Sequence, residues 1–227
     1  MGAVRAYWDF LRWDLRREFK RLDTLGAMLL FSLITLMIFS FAIRPDSETA
    51  VRVRAGVLWI TYLLAGTIGV DRAMRSSDEK VLEGLLLAPV ARSVIFYARL
   101  SSTWILVVLM EAIILAAFCL LYNVALSAGA IAQLALVGGL VTVNFVAVGL
   151  TIAAMTRAIH GGEVFLRILL FPLMIPVFSA AVEATTAIFA GAELKLNPFV
   201  LIGATLLVYV GAGQLMFDQI FSDYDGG

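Results

Sequence analysis

The sequence predicts an all-α membrane protein with six transmembrane helices, an N-terminal interfacial amphipathic helix and a short cytoplasmic helix between the second and third spans. Three observations lead there. Of the 227 residues 62% are hydrophobic and 15% charged, with a mean hydropathy of +0.96, well outside the composition of soluble domains. The apolar residues gather into six blocks, near 25–43, 56–72, 94–122, 129–156, 164–190 and 198–220, of about the 20 residues that a spanning helix needs. These blocks are continuous runs rather than alternating ten-residue segments, and lipid cannot satisfy stray backbone groups, so helices are expected and a β-barrel is not. No repeat or Pro-rich linker divides the chain, which reads as a single permease-sized domain over 1–227.

Residues 1–23 place Val4, Tyr7, Trp8, Leu11, Leu15, Phe19 and Leu22 at helical steps, with the arginines mainly on the other faces. That pattern predicts an elbow lying in the membrane interface, with Trp8 and Trp13 at headgroup level. It can serve as a plain anchor or pass on motion from a partner. The first block is unremarkably apolar and ends at Arg44-Pro45-Asp46. The second carries Ala65 and Gly69 at a spacing that lets helices approach closely, and Gly138, Gly139 and Gly149 in the fourth suggest the same. Gly66, Gly69, Gly138 and Gly149 lining a passage is the less favoured reading. In the fifth block FPLMIP sets Pro172 and Pro176 one turn apart, so that helix is expected to kink or open.

Charge placement orients the chain. Thirteen of the 17 Lys and Arg lie before the first block or flank the loops after the second and fourth, against four (Arg44, Arg52, Arg54, Lys195) elsewhere. The positive-inside rule then puts both termini in the cytoplasm. Ionisable residues at membrane depth are costly and mark candidate paths or gates. Glu111 and Glu183, with Pro172 and Pro176, are the candidates here, whereas Arg99 and Arg167 near helix ends are expected to snorkel.

The loop after the second block reads DRAMRSSDEKVLEGLLLAPVAR. Ser76 and Glu79 form a capping box, Asp78 and Glu79 suit a first turn, and Val81, Leu82, Leu85 and Leu86 fall at helical steps before Pro89 ends the run. A helix over about 77–88 results. It is too short to be stable alone or to span, so its apolar side needs a surface to dock on. A protein groove suits it better than anionic lipid, given the acidic start. Asp78, Glu79, Leu82, Glu83, Leu85 and Leu86 are the candidate docking residues.

Several chemistries lack their residues. None of the lysines (Lys20, Lys80, Lys195) follows a glycine as a P-loop requires, and one histidine (His160) with one cysteine (Cys119) makes neither a zinc site nor an HExxH protease. No catalytic residue, metal site or enzymatic activity is expected, and the zero net charge gives no hint of a nucleic-acid partner.

The residues 14–41 (DLRREFKRLDTLGAMLLFSLITLMIFSF), 56–100 (with LEGLLLAPV) and 171–185 (FPLMIPVFSAAVEAT) together resemble the haem exporter protein B (CcmB) family, the permease of the cytochrome c maturation ABC complex. The resemblance implies an ABC-2 type permease fold in the bacterial inner membrane. It also implies a separate cytoplasmic ATPase subunit that supplies ATP, other cytochrome c maturation membrane proteins, a periplasmic haem chaperone, and room for a homodimer. The function implied is haem export or release of the haem-loaded chaperone. Haem would be a substrate of the complex: haem iron is held by His, Cys, Met or Tyr, the one His and one Cys form no paired site in the sequence, and Met and Tyr stay open as ligands although they are as frequent as an apolar core would make them, so haem is expected to be held elsewhere. Two rivals fit the same pattern, a permease for a lipid, polysaccharide or drug, and a membrane scaffold that transports nothing.

Overall fold

A computed structural model describes residues 3–19, 22–42, 50–75, 92–156 and 162–222. Seven helices make up nearly all of these residues: α1 (Ala3–Phe19), α2 (Leu22–Ala42), α3 (Ala50–Arg75), α4 (Arg92–Leu121), α5 (Ala128–Thr156), α6 (Gly162–Phe189) and α7 (Leu196–Ser222). The last six are each long and apolar enough to cross a membrane. Among the described residues there is no strand.

The spanning helices alternate in direction, and their contacts define two ends of the bundle. At one end Tyr97 of α4 donates to Gln214 of α7 at 2.7 Å, close to where α1 packs on α4. At the far end Tyr122 donates to the Leu36 carbonyl at 3.1 Å, and Phe118 stacks between Tyr122 and Phe189. With lipid as apolar as the side chains, such helices are held by close packing and by hydrogen bonds between them. Much of that bonding comes from aromatic N–H and O–H groups. Trp59 of α3 donates to Thr185 of α6 at 2.8 Å, Tyr62 of α3 to the Glu111 carbonyl at 3.0 Å, and Trp104 of α4 to the Gly139 carbonyl at 2.9 Å. The Asn144 amide, wholly buried on α5, donates to the Ile202 carbonyl of α7 at 3.2 Å.

Glycines mark where helices touch. A methyl group added at Gly66 would lie 2.7 Å from the Phe145 ring, and one at Gly149 would lie 2.6 Å from the Val70 side chain, so α3 and α5 meet there without room for a side chain. Close packing therefore accounts for Gly66, Gly69 and Gly149, and the passage reading does not.

Two expectations change in extent. The second span starts at Ala50 rather than 56, because Arg52 and Arg54 sit among helix-forming residues and extend α3 beyond its apolar stretch. The fifth does not open at its prolines: α6 runs unbroken through Pro172 and Pro176. Tyr209 of α7 braces that segment by donating to the Leu173 carbonyl at 2.7 Å, next to the Pro172 carbonyl that loses its helical amide to Pro176.

Candidate functional site

The sequence-predicted docking helix at 77–88, with Asp78, Glu79, Leu82, Glu83, Leu85 and Leu86, lies outside the described residues, as do His160 and the Arg167 side chain. The described residues concentrate their polar chemistry on α4, at two levels.

The first level is the seam between α1 and α4. Tyr7, Leu11, Asp14 and Glu18 recur at four- and three-residue steps, so they share one face of α1. Leu11, Asp14 and Glu18 are buried on that face, whereas Val4, Trp8 and Trp13 are exposed. Tyr7 donates to Ser101 at 2.7 Å. The Arg99 guanidinium donates to Asp14 Oδ1 at 2.8 Å, and Ser102 donates to Asp14 Oδ2. Both members of the ion pair are buried, Asp14 at 1% exposure and Arg99 at 8%. Arg99 therefore does not snorkel. It is neutralised inside the protein by a carboxylate 85 residues away, because α1 covers the start of α4 and denies it water. Tyr7 and Leu11, expected on the membrane-facing stripe, thus lie with Asp14 and Glu18 on the face that grips the bundle.

The second level is Glu111, near the middle of the α4 span. Its side chain is buried, and its Oε1 accepts a hydrogen bond from Thr142 of α5 at 2.6 Å. Its Oε2 has no hydrogen-bond donor among the described residues and packs against Gly138, where an added methyl group would come within 3.4 Å of it. Glu111 and Gly138 line a cavity of about 470 Å³ between α3, α4 and α5, whose other walls include Leu58, Trp59, Tyr62 and Cys119. Tyr62 is committed to the Glu111 carbonyl, which leaves Cys119 as the wall residue of haem-ligating type with a free group.

Glu183 stands apart from both levels. It is exposed and lines an open basin of about 550 Å³ at the far end, together with Arg52, Glu193 and Lys195. Its carboxylate thus shares the basin with other charged side chains. Pro172 is exposed and Pro176 half-buried, and neither lines the Glu111 cavity. The four candidates for an intramembrane gate or path thus lie apart, Glu111 at the cavity, Glu183 at the basin and the two prolines at neither. Asp14, Arg99 and Ser102 were missed as a group. The signal was present in the 4-3-4 spacing of Tyr7, Leu11, Asp14 and Glu18, a helix face carrying two acids, while Arg99 was expected to snorkel rather than to meet them.

Comparison with known proteins finds relatives over most of the chain. Heme exporter protein B of Bradyrhizobium diazoefficiens is 27% identical over 191 residues, covering 83% of this chain and 85% of the relative. The protein of the same name from Rhodobacter capsulatus is 27% identical over 82% of this chain and 92% of its own length. The match to that of Escherichia coli K12 is shorter, 27% over 99 residues, covering 43% of this chain and 45% of the relative. The profile of the CcmB protein family matches residues 5–216, from α1 into the last turns of α7, and the chain therefore belongs to the CcmB family.

Proposed function

We propose that this chain is the membrane permease subunit of a haem-related ABC transporter of cytochrome c maturation, in a bacterial inner membrane with both termini cytoplasmic. Family membership over residues 5–216 is the observation that carries this reading. A separate ATPase chain supplies the energy, docking on the helix over 77–88 through Asp78, Glu79, Leu82, Glu83, Leu85 and Leu86. Its motion reaches the bundle along α3 and α4, which flank that segment, and through α1, which the Asp14–Arg99 pair ties to α4. The far end, with Glu183 at its basin, meets the outer-face partners, and the bundle acts as a relay for haem export or for release of a haem-loaded chaperone. Haem is held on other subunits or as passing substrate. A homodimer would complete the transporter.

The test is co-purification in mild detergent. Leu82→Asp and Leu85→Asp are each expected to leave membrane insertion intact and to abolish recovery of the ATPase subunit. Normal ATPase recovery with both variants would remove the docking assignment.

A further inference from the structure

We infer that the cavity beside Glu111 is a binding site for a compact lipophilic molecule that enters from the bilayer and presents one N–H or O–H donor to Glu111 Oε2. Three features of the cavity lead to this assignment. Its volume of about 470 Å³ lies within the range of roughly 300 to 1,000 Å³ typical of small-molecule pockets. Its walls are almost wholly apolar or aromatic, so the occupant must be lipophilic. Within them sits one buried carboxyl whose Oε1 is engaged by Thr142 while Oε2 has no donor among the described residues. An acceptor left accessible but unpaired among apolar walls has bonding capacity to offer, and a ligand that fills the cavity and donates one hydrogen bond uses it.

The route of entry is also on the structure. Ala112 and Ala116 of α4 and Ile131 and Ala135 of α5 line the cavity and are exposed. All four lie within membrane-spanning segments, and each pair is one helical turn apart. The mouth thus opens sideways between α4 and α5, within the apolar layer rather than at either end of the bundle. Three of its four residues are alanines, which leave a gap that larger side chains would close. A water-soluble substrate would have to cross hydrocarbon to reach this opening, whereas a lipophilic one is already dissolved there. A plain acyl chain could enter by the same mouth but would leave Oε2 unsatisfied.

The test uses the full chain in detergent or nanodiscs and two fluorescent probes of the same ring system, 1-aminoanthracene, which carries an N–H donor, and anthracene, which does not. The unmodified chain is expected to bind 1-aminoanthracene saturably, one per chain, and about tenfold more tightly than anthracene, the ratio expected of one buried hydrogen bond. Glu111→Leu is expected to erase that preference, so that the two probes bind with similar affinity. Ala135→Phe, at the exposed mouth, is expected to weaken both probes. Equal affinity for the two probes in the unmodified chain would mean that the cavity takes any hydrocarbon, lipid tails included, and would overturn the assignment. So would non-saturable partitioning, or binding indifferent to Ala135→Phe. The two-probe comparison in the unmodified chain needs no variant to fold.

Discussion

Arg99 and Glu111 stand on the same helix, separated by about 18 Å of axial rise, and the fold treats them in opposite ways. Arg99 is met by a full carboxylate from another helix, which is itself held by Ser102. Glu111 is met by a single hydroxyl, and its second oxygen is left beside a cavity. Taking a charge out of water is repaid only when geometry and hydrogen bonds are complete. At Arg99 geometry and hydrogen bonds bring a carboxylate to the charge, and the result is a joint that ties α1 to the first turns of α4. At Glu111 they are incomplete, and the result is a residue that still has bonding capacity to offer.

That contrast can be broken most forcefully at the joint. Asp14→Ala should destabilise the purified chain by about 3 to 5 kcal/mol, because it removes the buried carboxylate to which both Arg99 and Ser102 donate. Thermal unfolding in detergent reads the loss. Asp14→Ala combined with Arg99→Met should recover most of it, since the cation that Asp14 met is removed with it; a double variant as unstable as the single one would mean that packing, not the ion pair, holds α1 in place.

Thr142→Val tests the other site with a smaller expected effect, a loss of about 1 to 3 kcal/mol, as the buried carboxyl forfeits its one side-chain donor. Glu111→Leu should cost less than Thr142→Val, no more than about 1 kcal/mol, because removing a half-satisfied carboxyl offsets the lost hydrogen bond. If Glu111→Leu proved as damaging as Asp14→Ala, both residues would be structural and the distinction between joint and site would vanish.

Much of the fold could be read in the sequence. Six apolar blocks became α2 to α7 with small shifts at most ends, since an uninterrupted apolar run of that length has few alternatives to a spanning helix. The misjudged boundary, the start of α3, was charged, and composition undervalues helix that continues past hydrocarbon. The elbow was legible too, but only by its lipid side: Val4 and Trp8 announce a membrane-facing stripe, while the face of Asp14 and Glu18 reads as ordinary polar surface until α4 is placed against it. Glu111 was recognisable as costly, whereas its cavity was not, because the empty space is defined jointly by Leu58 and Trp59 of α3 and Gly138 of α5. Pro172 and Pro176 pointed to a kink or an opening, and α6 stays helical through both.

The sequence by itself determined the solvent, the number of spans, the amphipathic start and the absence of the sequence motifs for ATP hydrolysis, because each follows from local composition and spacing. Tertiary structure alone decided which buried charge is neutralised and which is left with capacity. That choice depends on residues brought together from distant parts of the chain: Asp14 with Arg99, and Thr142 and Gly138 with Glu111. Local pattern carries the energy of a single helix in lipid, but the fate of a buried charge depends on what the neighbouring helices place against it.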